Sequence, residues 1–162
     1  MRAPPLLAYP RTIQAEVVTM LAEDFAGVTN VAFGKNGSDV CTLAARLCRS
    51  YTGRKTILYC GYHGWGDFWV EQHGFDRTGV PEHDPHLIHR FRFNDTAGFL
   101  QLVERHRHDL AGVMLEPSGP WGGNEVGQEP DVEQEFLETL RKATRSVSRN
   151  SCSTSGSWPT SL

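Results

Sequence analysis

Apolar positions along this chain follow two rhythms, one helical and one of short unbroken runs. Ile13, Val17, Met20 and Leu21 recur at helical spacing and predict a helix from about Thr12 to Phe25. The run Val28 to Phe33, "VTNVAF", is β-branched and aromatic and is closed by Gly34, which predicts a strand. Val40, Leu43, Ala44, Leu47 and Cys48 form an i, i+3, i+4, i+7, i+8 set, a second helix that Gly53 should stop. "KTILYC", Lys55 to Cys60, predicts the next strand. From Gly64 to His86 the pattern dissolves into a loop of aromatic residues, Gly, Pro and Asp. "HLIHRFRF", His86 to Phe93, reads as a strand, and Asn94-Asp95 as the cap of a helix carrying Phe99, Leu102, Val103 and His106. "LAGVMLEP", Leu110 to Pro117, is apolar throughout and predicts a strand covered on both faces. Asp131 and Gln134 have the spacing of a capping box for a helix bearing Phe136, Leu137 and Leu140.

This order of elements predicts an α/β layer with a mostly parallel sheet and flanking helices. The domain is expected over residues 1–146. From Val147 onward the sequence turns Ser/Thr-rich and loses its apolar periodicity, so 147–162 is expected to be a disordered tail.

Composition narrows the function classes. The 162 residues suit one domain, and 16 basic against 19 acidic residues leave a net charge of −3, which is no footprint for nucleic acid or an anionic membrane. Cys41, Cys48, Cys60 and Cys152 form no C-x-x-C pair. Cys41 and Cys48 fall on neighbouring faces of one helix, as in a reduced core, and no apolar leader or span is visible, so a cytosolic setting is expected. His83, His86 and His89 are spaced by three, but on a strand that spacing sends alternate side chains to opposite faces, against a metal site. His106 and His108 suit the solvated end of a helix. Trp121-Gly122-Gly123 fits either a site-lining loop or a plain turn.

Two stretches point to chemistry. Asn36-Gly37-Ser38-Asp39 stands at a helix start, where unpaired N–H groups and the positive end of the macrodipole either receive a cap or hold an anion. It is neither a Walker A loop nor a G-x-G-x-x-G fingerprint. "GYHGWGDFW" places Tyr62, His63, Trp65, Phe68 and Trp69 just past the carboxyl end of a strand, the usual ligand face of an open α/β sheet. An aromatic ring there can lie flat on a planar cofactor.

Together, "FGKNGSDVCTLAARLCRSYTGRKTILYCGYHGWGDFW" and "GVMLEPSGPWGG" resemble the class III aminotransferases, in the branch of glutamate-1-semialdehyde aminomutase, over most of Thr12 to Thr144. The resemblance implies part of the large domain of a pyridoxal-phosphate-dependent transferase of fold type I. It implies that pyridoxal 5'-phosphate (PLP) meets Asn36, Gly37 and Ser38 through its phosphate. Tyr62 would lie on its ring with His63 beside it, and Glu116 near the reacting end. It further implies a small amine or carbonyl substrate and a homodimer.

The same resemblance calls for a Schiff-base lysine and for an Asp on the pyridinium nitrogen. Lys35, Lys55 and Lys142 are the chain's lysines, and none matches that position; the Asp-bearing strand is absent too. The chain is therefore expected to be a catalytically incompetent fragment. A reading frame shifted between about Thr144 and Asn150 would account for the tail. With TCN codons at Ser151 and Ser153 and AGY at Ser155, that frame permits two or three apolar residues followed by Asp-Glu, and the coding DNA tests it. The alternative from another class is a non-catalytic α/β module that binds a phosphorylated ligand or a protein partner.

Overall fold

A computed structural model describes residues 12–70, 78–80, 87–116 and 130–149. The chain divides into two units, Met1–Gly34 and Lys35–Leu162. In the first, helix α1 spans Thr12–Asp24, close to the expected range. The strand expected at Val28–Phe33 does not form; the segment is irregular. β-branched residues favour a strand only where a ladder and a packed face receive them. Here Thr29, Asn30, Ala32 and Phe33 are exposed, and no ladder partner exists among the described residues.

The second unit runs α2 (Gly37–Thr52), β1 (Thr56–Cys60), α3 (Asp67–Val70), β2 (Ile88–Arg90), α4 (Thr96–Arg105), β3 (Leu110–Leu115) and α5 (Pro130–Arg149). The strands form one sheet in the order β2-β1-β3, with both pairings parallel. Central β1 is buried along its whole length, and its alternation divides the core in two. Ile57 and Tyr59 turn to one face, where Ala45 and Cys48 of α2 and Phe68 and Trp69 of α3 cover them. Leu58 and Cys60 turn to the other, against Phe99 and Val103 of α4 and Phe136 and Leu140 of α5. The predicted α/β layer, with helices on both faces of a parallel sheet, is the architecture found.

Local signals set most boundaries. Asn36 caps α2, and Gly53 ends it in the left-handed conformation. Asp95 caps α4 through a bond from the Gly98 N–H. α3 was expected to be loop; four residues are too few to show a helical period, yet they bury Trp69 completely. α5 continues through Arg149, past the expected start of the tail at Val147. The Val147 side chain packs on the α4–α5 side of the core, and its carbonyl accepts a bond from Arg54 Nη1 at 3.4 Å. The same Arg54 nitrogen reaches the Leu110 carbonyl at 3.3 Å, so one side chain ties α5 to β3. Residues 150–162, the His83 and His86 positions and Trp121-Gly122-Gly123 lie outside the described residues, as does the side chain of Asp131.

His106 departs from its expected role. Its ring stacks on that of His89 at 4.1 Å, so it turns toward β2 and is half-buried, while His108 is exposed. Among the described residues no cluster could hold a metal ion, and no described helix is long and apolar enough to cross a membrane.

The β1–β3 register slips by one residue between Thr56↔Leu110 and Ile57↔Gly112, an irregularity that brings Gly112 under α2. A Cβ built on Gly112 would stand 2.7 Å from Cys48 Sγ and 3.0 Å from Cys48 Cβ. Gly112→Ala is therefore expected to cost about 1–3 kcal/mol by overpacking. Adding Cys48→Ala should return much of that loss, and urea unfolding of the four chains of the cycle measures the coupling.

Candidate functional site

The first turn of α2 is built by its flanking polar residues. Asn36 is extended (φ −147°, ψ 172°) and its Oδ1 accepts from the Asp39 N–H at 3.0 Å. The Asp39 carboxylate reaches back to the Lys35 N–H at 3.2 Å, and the Val40 N–H meets the Asn36 carbonyl at 3.4 Å. The Asn36 side chain is thus spent on capping. The N–H groups of Gly37 and Ser38 occupy positions that no carbonyl of the helix can serve. They are the donors a ligand would meet, at the positive end of the macrodipole.

The loop after β1 lies directly against this turn. Gly64 adopts φ +132°, and a Cβ placed there would fall 2.6 Å from Ser38 Cβ and 2.9 Å from Ser38 Cα. Only glycine permits both the conformation and the approach. Glu116, the residue after β3, joins from the other side. Its N–H donates to the Cys60 carbonyl at 3.0 Å, and its carboxylate accepts the Tyr62 N–H at 2.9 Å. Stretches around residues 37, 63 and 116 therefore meet beyond the carboxyl ends of two parallel strands, the position at which open α/β sheets bind ligands. Tyr62 is 37% exposed and Trp65 74%, so both rings present surface to solvent.

His63, expected beside the cofactor, sits beneath instead. It is buried, tilted against Trp69 at 5.3 Å and edge-on to Tyr59 at 5.9 Å. Its Nε2 bonds the Cys60 carbonyl at 3.1 Å; a carbonyl only accepts, so this nitrogen carries the hydrogen. Trp69 donates from Nε1 to Thr42 Oγ1 at 3.0 Å, and Thr42 donates to the Ser38 carbonyl at 2.8 Å. A buried indole thus supports the ligand-facing turn of α2 through one hydroxyl. Thr42 escaped the sequence reading; its place one turn after Ser38 was the only available signal.

Burial pushes the His63 pKa below its ordinary value, against smaller opposing effects from the Cys60 carbonyl, Glu116 and the Met114 backbone. The unfolded chain then binds a proton at a pH where the folded chain does not. Stability from this residue is present above about pH 6.5 and is lost as pH falls toward the folded pKa. Chemical denaturation between pH 7.5 and about pH 5 should show a stability loss that His63→Gln reduces. Burial also raises the Cys41 and Cys48 thiols, and takes Cys60 to about 11, so these sulfurs stay protonated rather than nucleophilic. Of the lysines, Lys35 and Lys55 are exposed, and Lys142 pairs with Glu138 at 3.4 Å on the surface of α5.

No protein-family model matches the sequence. Individual proteins do. The 3-aminobutyryl-CoA aminotransferase of Cloacimonas acidaminovorans (strain Evry) is 35% identical over 130 residues, covering 80% of this chain and 30% of that protein. The glutamate-1-semialdehyde 2,1-aminomutase of Salinibacter ruber (strain DSM 13855 / M31) is 33% identical over 143 residues, 82% of this chain and 32% of the relative. A solved structure described as a transaminase with PLP bound superposes with a TM-score of 0.70 at 25% identity, over 87% of this chain and 34% of its own. The chain belongs with the aminotransferases and aminomutases. As a member of that group it spans about a third of the length of the relatives it matches. Its α/β layer and parallel sheet are the ones these transaminases share with it.

Proposed function

We propose that the second unit of this aminotransferase-like chain holds pyridoxal 5'-phosphate, as part of an enzyme that moves an amino group between an amine and a carbonyl compound or within one substrate. The packing of Gly64 onto Ser38 carries the proposal, because it sets the start of α2 beside the loop that bears Tyr62. The residues present fit the group. The N–H groups of Gly37 and Ser38 would receive the phosphate oxygens, with Asn36 keeping that turn open by capping. Tyr62 would cover the ring, and Glu116 would fix the Tyr62 backbone while offering a carboxylate at the same edge. When bound, the cofactor supplies an electron sink for the bonds around the amine-bearing carbon.

Within these 162 residues no lysine stands among the residues assembled around Ser38, Tyr62 and Glu116. We therefore take this chain to bind the cofactor without turning over substrate. The family relation supports a small amine or carbonyl substrate, a homodimeric intact enzyme and a cytosolic setting. The net charge of −3 supports the absence of a nucleic-acid role.

Titration with PLP, followed by absorbance, tests the reading. Saturable binding is expected, and Ser38→Asp should weaken it roughly tenfold or more, since like charges about 4 Å apart repel by about 1–4 kcal/mol near a protein surface. The same substitution places an anion in the first turn of α2, so the melting temperature should not fall. Equal PLP affinity in the two chains would remove the phosphate from this turn. Borohydride fixing the cofactor covalently to a single lysine would overturn the claim of inactivity. Reversible binding of phosphorylated ligands with no preference for PLP would favour the non-catalytic module.

A further inference from the structure

A second concave surface lies apart from the α2 turn, between the end of β2 and α4. It encloses about 370 Å³. Its residues follow from two periodicities. Past Ile88 the chain stays extended, so Phe91 turns into the core while Arg90 and Arg92 turn out together. On α4, Gly98, Gln101, Leu102 and Arg105 fall at i, i+3, i+4 and i+7 and present one face to the same groove. The floor is apolar, from Phe91 and Leu102, and the rim is cationic.

The charges do not cancel. Arg90, Arg92 and Arg105 are exposed, and among the described residues no ion pair engages any of them. The one carboxylate in the groove, Asp95, is occupied by the Gly98 N–H at 2.8 Å, where it caps α4. Three guanidiniums against one committed carboxylate leave a local charge of about +2 in a concavity. Guanidinium groups bind phosphate oxygens in pairs of parallel hydrogen bonds. Gln101 adds an uncharged donor at the rim.

We infer that this groove is a binding site for a diphosphate-bearing small molecule, separate from the α2 turn. The anion sits between Arg90 and Arg92 on one wall and Arg105 on the other, and the rest of the ligand lies on Phe91 and Leu102. The function is recognition of the ligand's charged handle.

The test is calorimetric titration of the full 162-residue chain with inorganic pyrophosphate at low ionic strength. It is run in the Ser38→Asp background, where the α2 turn repels anions. One saturable site is expected, weakening as salt is added. Arg92→Gln and Arg105→Gln should each loosen it roughly tenfold, as expected for loss of one charge-assisted contact. Both variants should keep the parent melting temperature, since the side chains are exposed. PLP binding in the Ser38 parent should shift less than twofold when either arginine is replaced. Failure to saturate below millimolar pyrophosphate, or undiminished binding by the chain lacking both arginines, overturns the site. Succinate binding as tightly as pyrophosphate overturns the assignment to a diphosphate.

Discussion

Gly64→Ala is expected to abolish PLP binding and to destabilise the second unit by roughly 2–5 kcal/mol. Two costs combine. The φ of +132° is one that an L side chain rarely adopts, and the added Cβ would stand 2.6 Å from Ser38 Cβ and 2.9 Å from its Cα. The second contact involves backbone, so no rotamer change relieves it. Either the loop after β1 lifts away or the first turn of α2 unwinds, and each response separates Tyr62 from the donors at Gly37 and Ser38. Gly66→Ala is the matched control. Its Cβ would lie 3.5 Å from Ser38 Oγ, an ordinary contact, so stability and PLP affinity should stay near those of the parent. Urea unfolding and a PLP titration of both variants read the two effects separately. Parent-like PLP affinity in Gly64→Ala would mean that the apposition of loop and helix is irrelevant to the cofactor.

What could be foreseen in the sequence is what local chemistry decides. Asn36 before an apolar period and Gly53 after it mark α2 at both ends, because caps act on their own turn. β1 was visible as an unbroken apolar run, since a central strand is buried on both faces. Failures came where distant packing decides. Val28–Phe33 has strand-forming residues but nothing in the sequence said whether a ladder would receive them. The α3 turn is too short to carry a period, and its purpose, seating Trp69, depends on Thr42 far away in the chain. The persistence of α5 through Val147 rests on Arg54, ninety-three positions earlier. The site divides the same way. Capping by Asn36 was open to direct reading, while the meeting of Ser38, Gly64 and Glu116 was reached through family resemblance, since no short-range pattern encodes it. His63 shows the limit of adjacency: it follows Tyr62 in the chain, yet strand and turn geometry put Tyr62 at the surface and His63 inside.

Trp69→Ala should produce the largest loss of stability of any single change on the α2–α3 side of the sheet, about 3–5 kcal/mol. The indole is fully buried and touches Phe68 at 4.8 Å and Tyr59 at 6.2 Å between ring centroids, besides His63. Its removal leaves a cavity that rigid β1 and α2 cannot close, so the loss of contact is not recovered by relaxation. A comparable fraction of the whole stability of a domain is at stake, since folded domains hold only about 5–15 kcal/mol in total. Trp69→Phe separates packing from hydrogen bonding. It keeps most of the ring but takes the donor from Thr42, a change expected to cost about 1 kcal/mol beyond the lost volume. If the bond from Trp69 through Thr42 to the Ser38 carbonyl holds the ligand-facing turn in place, Trp69→Phe and Thr42→Val should weaken PLP to a similar degree, and the double variant should add little. Additive losses in the double variant would show that the two side chains act on the site independently, and that the indole supports only the core.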